Sequence, residues 1–260
     1  LFPRDKITLP KVLESDLDDL SKAGVNMAKP AGDHATILKS DNWRYAVQAY
    51  LASVRFADEQ VGRLIRGLDS SKYGKNTIIV LWGDHGWHLG EKHHWRKFSL
   101  WEEACRAPLM IIAPRVTSAG SKCGRTIDFV DIYPTLSELC GLPISDHLDG
   151  ESVVPLLKNP QQEWSHPAIT SHGLKNDAVR TERWRLIRYQ DGSEELYDHD
   201  TDPMEWTNLA ANPEFANVRK ELAAWLPTSH APEAPYDQGK QKPKNQNKGK
   251  QTARNKKPSR

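Results

Sequence analysis

A carboxylate and an imidazole stand side by side at Asp84 and His85, directly after the apolar run "TIIVLWG". Asp84 could supply a hard oxygen ligand to a divalent metal ion, and His85 could supply a nitrogen ligand. Two protein ligands are too few for a stable site, so the remaining ligands would have to come from elsewhere. The simpler alternative is that Asp84 begins a turn and His85 hydrogen bonds to nearby backbone.

Further polar side chains crowd the same stretch, "VLWGDHGWHLGEKHHWRK" at 80–97. Lys97 carries a compact ammonium group that can hydrogen bond to an anionic oxygen, although a solvated surface lysine is the simpler interpretation. His93, His94 and Trp95 could contact a sugar or its carboxylate. Packing is an equal alternative for Trp95, and the two histidines could lie only on the surface.

The elements around this stretch are typical of an α/β fold. Apolar side chains recur at three- and four-residue intervals over 41–68, which predicts one long helix. The apolar runs at 77–82 and 108–114 predict two neighbouring strands buried on both faces, and a helix with Pro134 in its first turn follows. This order predicts a mainly parallel sheet sandwiched by helices, with the active site beyond the carboxyl ends of the strands.

The character of the sequence changes near residue 151. Short strand-like segments separated by turn residues predict a small antiparallel sheet. The segment "NPEFANVRKELAAWLP" then predicts a closing helix with Asn212 as its N-cap. We therefore expect part of an α/β domain at 1–150, a small α+β subdomain at 151–228 and a disordered basic tail at 229–260.

Charge is distributed unevenly along the chain. The formal net charge is +2, but residues 231–260 contain nine Lys or Arg and two acidic residues, so the rest of the chain is acidic. Polyanion binding by the tail is one hypothesis, and a solubilising or linking tail is the simpler alternative. A nucleic acid partner is not expected, because Tyr236 is the only aromatic residue of the tail available for base stacking.

Other protein classes are not indicated. No run approaches eighteen consecutive apolar residues, so no membrane span is predicted. The three cysteines, Cys105, Cys123 and Cys140, are too few and too irregularly spaced for a disulfide framework or a Cys-x-x-Cys metal site. The chain begins at Leu1, from which we expect a fragment or a processed product, with any signal segment upstream.

The stretch after the first strand resembles the sulfatase family. It is similar to the branch of the alkaline-phosphatase-like superfamily that contains iduronate-2-sulfatase, whose members carry a segment like "DHGWxLGEHxxWxKxSxxE" followed by "PLI". The resemblance extends over residues 42–226. The matching residues are Asp84, His85, Gly86, Trp87, Leu89, Gly90, Glu91, Trp95, Lys97, Ser99, Glu102 or Glu103, and Pro108, Leu109 and Met110.

The resemblance implies an alkaline-phosphatase-like fold and hydrolysis of a sulfate ester of a sugar. The family uses one calcium ion, which offsets charge on the sulfate oxygens, and a formylglycine nucleophile. The implied partners are a sulfated saccharide and the N-terminal portion of the same enzyme. The implied location is secreted, periplasmic or lysosomal.

Roles for individual residues come from the same resemblance. It implies that Asp84 and His85 bind the metal ion, that His85 also acts in catalysis, and that Lys97 contacts the sulfate of the substrate during catalysis. The further substrate-binding residues are His93, His94 and Trp95.

The nucleophile motif is missing from this sequence. Sulfatases make formylglycine from Cys or Ser in a CxPxR-like motif, and the cysteine segments "CRAPL", "CGRTI" and "CGLPI" do not match it. We therefore expect the nucleophile in an N-terminal part and no turnover by this segment alone. Two alternatives remain open: a phosphatase or phosphonate hydrolase of the same superfamily, and a non-catalytic remnant that binds polyanions.

Overall fold

The computed structural model describes residues 2–232 of the chain. The described residues up to His230 form one compact unit. The predicted tail at 229–260 thus lies almost entirely outside the described residues, and the boundary predicted near residue 150 stays a prediction.

The helices are α1 (Lys22–Ala28), α2 (Asp33–Lys39), α3 (Trp43–Asp69), α4 (Glu102–Cys105), α5 (Ile132–Leu139), α6 (Val154–Lys158) and α7 (Ala216–Ala223). The strands are β1 (Ile79–Trp82), β2 (His88–Leu89), β3 (Trp95–Arg96), β4 (Leu109–Ile112), β5 (Ala168–Ser171), β6 (Asp177–Arg180), β7 (Trp184–Arg188) and β8 (Glu194–Asp198).

Helix α3, 27 residues long, confirms the long helix predicted over 41–68. The first 40 residues contain two helices, α1 and α2, that the sequence analysis did not predict. A seven-residue helix offers few periodic positions, so its signal in the sequence is weak and tertiary contacts stabilise it. In α1, the Ser21 hydroxyl accepts a hydrogen bond from the Gly24 backbone N–H (3.2 Å), and Ala28 is fully buried.

The two predicted strands, β1 and β4, pair along their whole length, with Trp82 opposite Leu109. The expected burial on both faces is wrong, because neither strand contains a buried residue and Trp82 and Ile112 are each more than half exposed.

The direction of β1 and β4 corrects the expected mainly parallel sheet, because every strand pair in the described residues is antiparallel. The connection at 83–108 is long enough for a crossover, but it forms the β2–β3 hairpin and the short helix α4 instead. The Gly83 N–H donates to the carbonyl oxygen of Pro108 (3.0 Å), so the chain returns at the end of β1 where it left. A strand with apolar side chains on both faces gives the same sequence pattern in either direction.

The four strands β5 to β8 form an antiparallel sheet in chain order, which confirms the small C-terminal sheet and the mixed α/β class. Alternate side chains of this sheet pack on different partners. On one face Ala178, Ile187 and Tyr197 pack against Leu100 and Trp101, which closely follow Lys97 in the chain. On the other face the core consists of Val179, Leu186, Leu196, Ala210, Leu222 and Leu226. The C-terminal sheet therefore supports the chemistry-bearing stretch directly.

The closing helix begins where the sequence predicted. The side chain of Asn212 accepts a hydrogen bond from the Glu214 backbone N–H (3.0 Å), and a short 3₁₀ turn leads into α7. None of the described helices is both long and apolar enough to cross a membrane.

Candidate active site at the end of β1

The backbone after β1 is held tightly where it presents Asp84 and His85. The Gly86 N–H donates to the carbonyl oxygen of Ala104 (2.8 Å). A Cβ atom at Gly86 would lie 2.0 Å from the carbonyl oxygen of Glu103, so glycine is required for this close approach. The backbone that carries Asp84 and His85 is therefore fixed in one conformation at the end of β1.

Asp84, His85 and Lys97, which we call the trio, converge. His85 Nε2 lies 3.2 Å from Oδ2 of Asp84 and 2.7 Å from Nζ of Lys97. His85 Nδ1 lies 2.8 Å from the carbonyl oxygen of Gly86, and since a carbonyl only accepts, Nδ1 carries the hydrogen of the neutral ring. Nε2 therefore keeps a lone pair for an ammonium donor or a metal ion.

The trio is open to solvent. The side chain of Asp84 is 80% exposed and that of His85 is 26% exposed. Lys97 is partly buried. An ion or a small anion can therefore reach all three groups. The structure brings together the residues predicted to bind metal and sulfate, and their roles stay predictions.

A short hairpin fixes Lys97 beside β1. Strand β2 pairs with β3, with His88 opposite Arg96. Lys92 (φ 55°), His93 (φ 49°) and Arg96 (φ 83°) all take left-handed backbone conformations. Such conformations cost of the order of 1–3 kcal/mol each for residues other than glycine, and they persist only where the surroundings enforce them. The surrounding packing thus determines where Lys97 lies.

A buried polar layer lies beneath the hairpin. His88 is fully buried, and its Nε2 lies 2.8 Å from the hydroxyl of Ser99. Burial, together with the nearby His94, lowers the pKa of His88 to about 3, so the ring is neutral. Lys92 is also buried and forms an ion pair with Asp16 (2.7 Å). These contacts hold the hairpin and leave His88 out of reach of a substrate.

His94, one of the predicted substrate contacts, lies in the interior. It is 5% exposed, and its Nδ1 donates to the carbonyl oxygen of Ala28 (2.7 Å). This placement does not support the predicted direct contact with substrate.

His93 and Trp95, the other two predicted contacts, pack against the N-terminal segment. His93 Nε2 lies 3.1 Å from the carbonyl oxygen of Leu13. The ring of Trp95 is nearly parallel to that of His34 at a centroid distance of 6.4 Å. The structure gives neither residue a contact with the trio, so their predicted sugar contacts gain no support from this placement.

The described residues contain one other group of metal-type ligands, formed by Glu102, His199 and Glu205 within 4.8 Å of one another. With the fully buried Arg185 they form what we call the buried network. The Arg185 guanidinium donates to both carboxylates, at 2.5 Å from Oε1 of Glu205, and His199 Nε2 lies 2.9 Å from the same oxygen. Sequence analysis missed this network because its members are far apart in the chain, and its one signal is Arg185 inside the apolar run "WRLIRY".

The opposite charges of the buried network offset one another within the protein. Burial alone would raise the pKa of Glu205, but Arg185 and the hydrogen bond from His199 lower it to about 2. Oε1 of Glu205 is already contacted by Arg185 and His199, and its other oxygen accepts from the Glu102 backbone N–H, so an added cation would have to displace these partners. The arrangement fits a structural role.

Two family models match the chain. The model described as N-sulphoglucosamine sulphohydrolase, C-terminal, matches residues 83–231. The model described as Sulfatase matches residues 18–142. Both matches include the trio.

Curated relatives agree with the family models. A sulfatase of Formosa agariphila is 39% identical over 235 residues, which cover 89% of this chain and 46% of the relative. An N-acetylglucosamine-6-O-sulfatase of Bacteroides thetaiotaomicron is 34% identical over 200 residues, which cover 71% of this chain and 36% of the relative. The chain therefore spans less than half the length of these relatives.

Solved structures share the fold. The structure of BT4656 in complex with its substrate D-glucosamine-2-N,6-O-disulfate matches with a TM-score of 0.64 and 30% identity, over 72% of this chain and 40% of that one. A phosphonate monoester hydrolase from Silicibacter pomeroyi matches with a TM-score of 0.72 over 85% of this chain and 49% of that one. At 22% identity the second match shows the fold alone.

Proposed function

Because the chain belongs to the sulfatase family, we propose that it forms part of an enzyme that hydrolyses sulfate esters of sugars. The observation that carries this proposal is the convergence of Asp84, His85 and Lys97 at the end of β1. An iduronate-2-sulfatase-like specificity is the finer proposal, and it rests on the sequence pattern of residues 84–103. A secreted, periplasmic or lysosomal location is part of the same proposal.

In the proposed reaction Lys97 donates a hydrogen bond from its ammonium group to a sulfate oxygen, where negative charge builds up in the transition state. His85 Nε2 lies 2.7 Å from Nζ of Lys97, so the proposed metal ligand and the proposed sulfate contact are neighbours. Asp84 places a carboxylate beside both groups.

The donor set of the trio fits a divalent cation such as calcium. Asp84 offers carboxylate oxygens, and the tautomer of His85 leaves Nε2 unprotonated. Calcium takes six to eight ligands, so two residues supply only part of the site. A bound cation would offset charge on the sulfate oxygens and favour the ionised nucleophile. Asp84 and His85 are the residues of this chain that would hold it.

The formylglycine nucleophile and the remaining metal ligands belong, in this proposal, to an N-terminal portion of the same enzyme. Exposed apolar side chains support such a partner, because large exposed apolar patches mark interaction surfaces. The β1–β4 pair has apolar side chains more than half exposed on both faces, Met110 and Ile112 on one and Trp82 on the other. On α3, Leu64 is 75% exposed. We expect the 260-residue chain alone to hydrolyse no ester.

The test of this function compares matched sulfate and phosphate esters. The chain is reconstituted with the N-terminal half of a sulfatase domain that carries the CxPxR motif. We expect preferential hydrolysis of the sulfate ester, and a fall in kcat/KM of about 100-fold for Lys97→Ala because one donor to the transition-state charge is lost. Lys39→Ala, at the end of α2, is the matched control and should behave as wild type. A preference for the phosphate ester, or an unchanged Lys97 variant, contradicts the proposal.

The alternative within the superfamily is a phosphonate or phosphate ester hydrolase. The structural match to a phosphonate monoester hydrolase is what favours it, and that match concerns the fold alone. The same pair of esters separates the two functions.

A further inference from the structure

Beyond Lys97, the next side chain connects the trio to the C-terminal sheet. The ring of Phe98 lies 5.6 Å from Nζ of Lys97 and 5.9 Å from the ring of His172, both measured to the ring centroid of Phe98. Phe98 is 50% exposed, and His172 directly follows β5. A continuous wall of side chains therefore runs from the trio to the C-terminal sheet.

The turn that carries His172 is held firmly. The His172 N–H donates to the carbonyl oxygen of Asn176 (2.9 Å), and the Asn176 side-chain amide donates back to the carbonyl oxygen of His172 (3.0 Å). The Gln190 N–H in turn donates to the side-chain oxygen of Asn176 (3.0 Å). Groups on such a rigid turn can hold a ligand without a large ordering cost.

Lys29 places a positive charge in the same neighbourhood. It is exposed, it follows α1 in a left-handed conformation (φ 53°), and none of the ion pairs found among the described residues involves it. Burial lowers the pKa of His172 and of His94, and the charge of Lys29 lowers both further. Lys29 directly follows Ala28, whose carbonyl oxygen accepts the hydrogen bond from His94 (2.7 Å), so the chain places Lys29 beside that ring.

Buried His94 adds an unsatisfied acceptor to this neighbourhood. Its Nδ1 donates to Ala28, so Nε2 carries the lone pair, and Nε2 has no hydrogen-bond partner among the described residues. A buried polar atom without a partner is costly, and a lone pair accepts from a hydroxyl group or a water molecule, so Nε2 marks a place for a donor and does not itself bind an anion. Asp33, whose charge acts on His94, is already paired with Arg96 (2.6 Å).

We propose that Lys29, Phe98 and His172 form a specificity subsite beside Lys97 that binds a second anionic group of the sugar, either a carboxylate or a further sulfate. This rests on the proposed function, because Lys97 is taken to hold the sulfate that is cleaved. Lys29 supplies the charge, and the neutral His172 ring supplies an N–H donor. The face of Phe98 supplies an apolar surface for the C–H groups of the sugar ring.

The test measures binding to the 260-residue chain by calorimetry in the presence of calcium. Inorganic sulfate and N-acetylglucosamine 6-sulfate offer one anionic group. Glucosamine 2-N,6-O-disulfate offers two sulfates, and the methyl glycoside of a 2-O-sulfated uronate offers a sulfate and a carboxylate. The variants are Lys29→Gln and His172→Gln, and His147→Gln is a matched control at an exposed histidine.

We expect each subsite variant to weaken at least one two-group ligand by about tenfold, the effect of losing one charged contact, and to leave the one-group ligands unchanged. Loss for the disulfate alone identifies a sulfate as the second group, and loss for the uronate alone identifies a carboxylate. Unchanged affinity for both two-group ligands overturns the subsite, and so does an equal loss for inorganic sulfate. Failure of the proposed function has a different signature, which is equal affinity of wild type and Lys97→Ala for inorganic sulfate.

Discussion

The trio and the buried network contain the same kinds of side chain, carboxylate, histidine and long cationic side chain, in opposite surroundings. In the trio the Asp84 side chain is 80% exposed. In the buried network the side chains of Arg185 and Glu205 are 1% and 3% exposed. The composition of a cluster therefore does not decide whether it can bind a ligand.

The two clusters differ in which of their charged and polar atoms are already paired within the protein. In the buried network Arg185 also donates to the carbonyl oxygen of Leu100 (3.0 Å), and the backbone N–H of Glu102 donates to the second carboxylate oxygen of Glu205 (2.9 Å). Its charges and hydrogen bonds are thus used within the protein, and it ties the segment after Lys97 to strand β7. In the trio the carboxylate oxygens of Asp84 remain accessible, and the lone pair of His85 meets the partly buried ammonium group of Lys97.

The largest effect on the free energy of unfolding is expected from removing Arg185, the cation at the centre of the buried network. Arg185→Met leaves the buried carboxylate of Glu205 without its guanidinium partner, while Glu102 keeps Arg180 (3.0 Å), and this should lower the free energy of unfolding by about 3–5 kcal/mol. Arg188→Met is the control on the same strand, because Arg188 is 41% exposed and pairs with Glu194 near the surface, so its loss should be below about 1 kcal/mol. Urea denaturation measures both. Equal losses in the two variants would remove the contrast between buried and exposed clusters.

An intermediate, pH-dependent effect is expected at Glu205. Arg185 and His199 bring its pKa, against burial, from the ordinary 4.5 to about 2. A lowered carboxyl pKa contributes stability that is present above about pH 4.5 and is lost as the pH falls towards 2. The loss of unfolding free energy caused by Glu205→Gln should therefore be largest near neutral pH. It should become smaller as the pH falls from about 4.5 towards 2. Urea denaturation of both proteins at several pH values measures it, and a cost that does not vary with pH contradicts the assignment.

The smallest effect on stability is expected in the trio. Asp84→Asn should change the free energy of unfolding by less than about 0.5 kcal/mol, because its side chain is exposed and anchors no buried group. Asp58→Asn on α3, where the side chain is 70% exposed, is the matched control. A destabilisation well above that of the control would show that Asp84 has a structural role.

Sequence alone predicted the elements with a strong pattern. The 27-residue helix α3 shows its apolar face over many turns, and the antiparallel C-terminal sheet follows from short strands with turn residues between them. The position of Asp84 and His85 directly after a strand also follows from the sequence. Lys97 joined them only through the family resemblance, because the hairpin that returns it to them was not predicted.

Other features depend on contacts that no local pattern reveals. His94 is polar and adjoins the predicted site, yet its contact with Ala28 places it inside. The direction of β4 depends on how residues 83–108 return to β1, and its apolar sequence is the same for either direction. Arg185 is buried only because Glu102 and Glu205 meet it from distant parts of the chain.

Calcium-dependent binding of inorganic sulfate tests the central claim most directly, that the trio holds a divalent cation and a sulfate group. Titrations of the chain with sulfate are made with and without calcium, at constant ionic strength. We expect calcium to strengthen sulfate binding by the wild type, Asp84→Asn to remove the calcium dependence, and Lys97→Ala to weaken sulfate binding under both conditions. Sulfate affinity that is independent of calcium and equal in all three proteins would contradict the account.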